Sequence, residues 1–195
     1  MQYPIITISR EHGSGGRLIA KQVAEALGIP LYDKKLIQMI ASESGLSEEY
    51  VAKADKIQTS SFLYNLYFDS QNLPLQDQVY LTEAKIIRDI AEKGPCVIVG
   101  RCADYILKNH ANCLHVFIYA PMEEKVNRAS SVYLEKHSHM ESYLEKYDKQ
   151  RATYYAHVTN EKWGYPQNYH VMFNSTIGLD QVSEEIIRMA KKEAQ

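Results

Sequence analysis

The chain has 195 residues, 22 Lys and Arg against 24 Asp and Glu, and a formal charge of −2. That length suits one domain with a large core, and that charge argues against a nucleic-acid or anionic-membrane surface. Three cysteines, Cys96, Cys102 and Cys113, lack C-x-x-C spacing and indicate neither a disulfide framework nor a zinc site. No apolar run approaches about 18 residues. Met1 to Arg10 lacks the basic-then-apolar order of a signal peptide, so a cytoplasmic protein is expected. There the sequon Asn174-Ser175-Thr176 carries no meaning.

Ile5, Ile6, Thr7 and Ile8, behind Pro4, read as a short buried parallel strand. Gly13-Ser14-Gly15-Gly16 follows, then a helix with Ile19, Val23, Ala26 and Leu27 on one side and Gly28 as its C-cap. Strand, glycine loop and helix aim backbone N–H groups and a positive helix end at one point, which suits phosphate. A tight turn between core elements is the plainer use of such glycines. The loop departs from G-x-x-x-x-G-K-[ST]. With Gly15 as the second glycine, Arg10 stands at the first, Gly16 at the lysine and Arg17 at the hydroxyl. Moved by one, Arg17 stands at the lysine and Leu18 at the hydroxyl. Arg17 is therefore expected on the β- and γ-phosphates, the loop is not expected to ligate a metal, and a Cβ at Gly15 is expected to intrude on phosphate.

Ile29 to Tyr32 reads as a second strand ending at Asp33, a carboxylate placed to meet substrate or to cap the helix Lys34 to Ser44. Ser47-Glu48-Glu49 opens another helix. Segment 58–74 mixes apolar and polar residues and reads either as a cover over the site or as a contact between two copies in a homodimer. Leu75 to Lys93 is helical up to Gly94-Pro95. Cys96 to Val99 is a third, fully buried strand running into Gly100-Arg101, where the arginine needs an anionic partner, in a substrate or in an ion pair. Leu114 to Ala120 is a fourth strand, stopped by Pro121 at the head of a helix carrying Met122, Val126, Ala129 and Tyr133. Glu141 to Trp163 reads as a long polar helix. Its stripe of Leu144, Tyr147, Arg151, Tyr154, Tyr155 and Val158 is either a lid facing phosphate or a helix whose arginine snorkels to solvent. Tyr169 to Phe173 and Leu179 to Lys192 are a fifth strand and a closing helix. Five short apolar strands alternating with helices predict a parallel α/β sheet whose strand ends converge.

The segments ISREHGSGGRLIAKQVAEALGIPLYD, CVIVGRCADYIL, HVFIYAPMEEKVNRA, DKQRATYYAHVTNEKWG and NYHVMFNSTIG resemble the cytidylate-kinase-like family of P-loop nucleoside and nucleotide kinases. The resemblance implies one three-layer domain over 1–195, a five-stranded parallel sheet flanked by helices, with a helical lid at about 137–166. It implies ATP along His12, Gly13, Ser14, Gly15, Gly16, Arg17 and Leu18, with Asn174 and Ser175 beside the adenine. It also implies a nucleotide-sized or other small acceptor near Asp33, Arg101, Tyr154 and Tyr155. Arg17, Arg128 and Arg151 would carry the transferring phosphoryl group, and Mg²⁺ would be held by the oxygens of ATP and by water. Cytidylate kinases have G-K-G-[ST] in the loop and G-R-D after the third strand, where this chain has Gly-Gly-Arg-Leu and Gly-Arg-Cys. A nucleotide-binding module without turnover is the alternative to a kinase.

Overall fold

The computed structural model describes residues 3–54 and 75–191, so the expectation for 58–74 lies outside the described residues. The elements are β1 (Ile5–Arg10), α1 (Gly16–Leu27), β2 (Leu31–Tyr32), α2 (Lys34–Ser44), α3 (Glu48–Ala54), α4 (Leu75–Lys93) and β3 (Cys96–Val99). They continue as α5 (Ala103–Ile106), β4 (Cys113–Tyr119), α6 (Met122–Ser131), α7 (Met140–Thr159), β5 (Val171–Asn174) and α8 (Leu179–Lys191). The strands form one sheet in the order β2-β3-β1-β4-β5, every described pairing parallel.

β1 is central and buried on both faces. Ile5 packs with Leu36, Ile40, Ile87 and Ile90 from α2 and α4, whereas Ile6 and Ile8 pack with Ile19, Val23, Val182 and Ile186 from α1 and α8. Adjacent strand residues face opposite layers, and the Ile5 face continues through Thr7 and Ser9, both buried with their hydroxyls on His115 and Asp104, so β1 is covered on both sides. Each buried isoleucine contributes about 1.5–3 kcal/mol, and β1 buries three. That burial fixes where the strand ends. The carboxyl ends of all five parallel strands lie on one edge, which brings Arg10, Asp33, Gly100, Ala120 and Asn174 to the same side.

Several boundaries differ from expectation for local reasons. β2 starts at Leu31 because the amide of Ile29 is spent on the Ala24 carbonyl in the cap of α1. β5 starts at Val171 because Tyr169 closes a 3₁₀ turn over Pro166–Asn168. α7 stops at Thr159, where Asn160 takes a left-handed conformation (φ 58°) and its amide caps on Ala156. α6 ends at Ser131, leaving Tyr133 outside the helix with its amide on the Arg128 carbonyl. Among the described residues no helix is long and apolar enough to cross a membrane.

Candidate active site

The chain leaves β1 at Arg10, and the Glu11 amide still bonds the Ile118 carbonyl of β4. Gly13 (φ 78°) and Gly15 (φ 86°) then turn through left-handed conformations that favour glycine. The Gly15 carbonyl accepts from the amides of Leu18 and Ile19, so the leading amides of α1 fall at Gly15–Arg17, where a helix has no internal acceptor to offer them. This arrangement fits an anion. The expectation for Gly15 is corrected in its cause. A Cβ there would lie 2.6 Å from Leu179 Cδ2 and 3.4 Å from Arg128 Nε, colliding with the protein instead of pointing at a ligand.

Beside the loop lies a cleft of about 520 Å³ bordered by Gly13, Gly15, Gly16, Arg17, Leu18 and Asp33, with Tyr133, Glu135 and Arg151 across from them. Arg17 is half-exposed and its Nη2 sits 2.6 Å from Asp33 Oδ2. Asp33 stands at the head of α2 but makes no side-chain capping bond there. Its carboxylate instead turns to the arginine.

The wall opposite is built from α7. Asp148 accepts the His12 amide at 2.7 Å, Lys125 Nζ at 3.0 Å and Arg151 Nη1 at 3.2 Å. Burial acts to lower the Lys125 ammonium, but Asp148 and Glu11 outweigh it and hold it above the usual lysine range. The His12 ring donates from Nε2 to Glu135 (3.0 Å), and its Nδ1 lies 3.5 Å from Arg151 Nη2. Burial, then Arg151, keep this ring below the usual histidine range against the pull of Glu135. A neutral ring with its proton on Nε2 satisfies both contacts. Tyr147 and Tyr143 continue the wall, 4.9 Å and 5.8 Å from the His12 ring.

A smaller chamber opens at the end of β3, bordered by Arg101, Asp104, Tyr154, Tyr155 and Trp163. Gly100, Arg101 and Cys102 are consecutively left-handed (φ 70°, 55° and 52°). Such a conformation costs non-glycine residues about 1–3 kcal/mol each, and here it sets the Arg101 side chain against α4. Arg101 Nη1 meets Glu83 Oε1 at 2.7 Å, with Glu83 fully buried. Tyr154 donates to the other Glu83 oxygen at 2.9 Å, and Tyr155 donates to Asp104 at 2.8 Å, where Ser9 also donates at 2.9 Å. Burial pushes the Asp104 carboxyl above the usual carboxylate range, and those two hydroxyls oppose it.

The structure thus brings His12, Gly13, Gly15, Gly16, Arg17, Leu18, Asp33 and Arg151 together on the cleft, and Arg101, Tyr154 and Tyr155 on the chamber. Arg128 lies behind the loop, its Nη1 donating to the Gly13 carbonyl at 2.7 Å. Ser14 is buried, its hydroxyl on the Glu11 carbonyl. Asn174 and Ser175 border neither cavity. Asn174 caps its own turn by accepting from Thr176, and buried Ser175 Oγ has no hydrogen-bond partner among the described residues. No cluster of three or more metal-ligating side chains occurs among the described residues, and Leu18 offers no oxygen where a loop hydroxyl would ligate Mg²⁺. Sequence reading missed Arg10, Glu83, Asp104, Lys125, Glu135 and Asp148. Two of them carried a signal: Asp148, three residues before Arg151 on one helix face, and Arg10, at the first-glycine position of the loop pattern.

Nothing among the curated proteins matches this chain. Among solved structures, an uncharacterized protein from Eubacterium ventriosum is similar at 27% identity and TM-score 0.73, over 97% of this chain and 99% of its own. A gluconokinase from Sinorhizobium meliloti (15% identity, TM-score 0.60) matches over 97% of this chain and 93% of its own. A shikimate kinase from Acinetobacter baumannii in complex with shikimate (15% identity, TM-score 0.55) matches over 96% and 92%. These likenesses show the three-layer P-loop kinase fold. The cytidylate kinase-like family model matches residues 5–177, from the first residue of β1 to the turn after β5. The chain belongs to the cytidylate kinase-like family.

Proposed function

We propose that the protein is a phosphotransferase that passes the γ-phosphoryl group of ATP to a nucleotide or another small acceptor. The observation that carries this reading is the cleft that the glycine loop shares with Asp33 and Arg151. Arg151 also borders the chamber in front of Arg101. ATP would bring the reactive group together with Mg²⁺ on its own oxygens. The loop amides would orient its phosphates, with Arg128 holding the loop in shape through Gly13. Arg151 would meet the charge that develops during transfer, since phosphoryl transfer depends on positioning and electrostatics more than on covalent chemistry. Asp33 would accept a hydrogen bond from the acceptor, and Arg101 would face its anion from the edge of the chamber. Tyr154 and Tyr155, committed to Glu83 and Asp104, would position that wall.

A second reading, a nucleotide-binding module without turnover, is favoured by two observations. Gly16 stands at the lysine position, and Arg17 is already paired with Asp33. Acceptor-dependent ADP formation separates the two. A panel of nucleosides, nucleoside monophosphates and small hydroxylated metabolites should contain a compound that raises ADP release above the ATP-only rate. ATP binding with no such compound would favour the module.

A further inference from the structure

Two departures from the ordinary phosphate loop belong together in this fold. Arg10 replaces the first glycine and Gly16 replaces the lysine. A Cβ on Gly16 would lie 2.6 Å from Arg10 Cβ and 3.0 Å from its Cγ. A Cβ on Gly100, at the end of β3, would lie 3.2 Å from Arg10 Cζ and would overlap Nη1. The arginine stem therefore passes the head of α1, and the guanidinium ends beside β3, through space that two glycines leave open. A side chain at either glycine would compete with it.

The same side chain stands between the two cavities. Among the described residues, Arg10 and Arg151 alone border both the loop cleft and the Arg101 chamber, and Arg151 Nη1 reaches the Arg10 carbonyl at 3.3 Å. Arg10 and Tyr133 both border the cleft, and burial, opposed by Arg128, Arg17 and Arg10, raises the Tyr133 phenol. Arg17, half-exposed and held by Asp33, lies toward the mouth. Arg10 therefore stands where the loop cleft meets the residues of the Arg101 chamber. A guanidinium there can grip phosphate oxygens through two parallel N–H bonds, which an ammonium cannot do.

From this geometry we propose that Arg10, from the end of β1, supplies the β- and γ-phosphate cation that the glycine loop lacks, and that Gly16 and Gly100 make room for it. The proposal rests on nucleotide binding at the loop and assigns to Arg10 the lysine role that sequence spacing gave to Arg17. The test is titration calorimetry with ATP and AMP on the wild type, Arg10→Met, Gly16→Lys and the exchange Arg10→Gly/Gly16→Lys, each variant first checked by thermal melting. Arg10→Met keeps the stem and removes the charge. It should bind ATP about 10- to 100-fold more weakly, the scale of a charge-assisted contact, with AMP affinity unchanged. Gly16→Lys alone should bind ATP poorly because its stem meets Arg10. The exchange should recover most of the loss, and it keeps the question open to measurement if Arg10→Met melts early. Wild-type affinity in Arg10→Met, or an exchange no better than Gly16→Lys, would overturn the proposal while leaving the kinase reading standing. A wild type that binds no ATP would remove both.

Discussion

Arg101 shows how a single residue can answer two expectations at once. Its guanidinium pairs with a fully buried Glu83 and still borders the chamber. Removing one partner of a buried pair costs about 3–5 kcal/mol, so Arg101→Ala should lower the urea midpoint markedly. Arg101→Met combined with Glu83→Gln should regain much of that loss, and purely additive effects of the two changes would deny the coupling. His115 is a second such residue. It lies opposite Thr7 in the sheet, its Nδ1 2.8 Å from the Thr7 hydroxyl and its ring stacked 5.0 Å from His170. Burial, then His170, lowers it from 6.5 to about 4. Between those values the unfolded chain holds more protons than the fold, so stability falls as pH drops through that window and levels off below it. The full loss is roughly 3 kcal/mol at 1.36 kcal/mol per unit. Unfolding curves from pH 7 to 4 should therefore steepen for the wild type relative to His115→Gln, and parallel curves would assign the acid sensitivity elsewhere. Neither Glu83 nor Thr7 was legible as a partner, because each lies far along the chain and has no spacing relation to Arg101 or His115.

At the scale of elements, α7 is where sequence reading was both informative and incomplete. The stripe that mixes Leu144, Arg151, Tyr154 and Tyr155 does face inward, and Leu144 and both tyrosines are buried. The tyrosine partners, 71 and 51 residues away, could not be read from spacing, and they divide the helix into two parts. The Tyr154–Tyr155 turn is anchored to Glu83 and Asp104. The Tyr147–Arg151 turn meets the glycine loop through Asp148 and His12. Hydrogen exchange should follow that division. Amides around Tyr154–Thr159 should be protected without ligand, and those around Tyr143–Arg151 should gain protection when ATP is added. Uniform exchange along the helix in both conditions would mean that α7 responds as one rigid body.

The whole molecule was more legible than its site. Strands buried on both faces announce themselves as β-branched runs, and alternation with helices implies a parallel sheet, so the convergence of strand ends followed before any coordinates. Strand order, the ion pairs across the cleft and the path of Arg10 depend on contacts between distant segments, and composition carries no trace of them. If the cleft binds ATP, ligand at 100 times its dissociation constant should stabilise the fold by about 2.7 kcal/mol, and a melting temperature unmoved by ATP would exclude such binding. Acceptor-dependent ADP formation by the wild type beside Arg151→Lys, with ATP affinity measured in parallel, decides whether this cleft transfers a phosphoryl group. Arg151→Lys keeps the charge and loses the planar fork. For Arg151→Lys the expected kcat is about 10²–10³-fold lower, as for loss of one transition-state contact, at nearly unchanged ATP affinity. Wild-type turnover in Arg151→Lys, or ATP binding with no acceptor-dependent ADP from either protein, would contradict it.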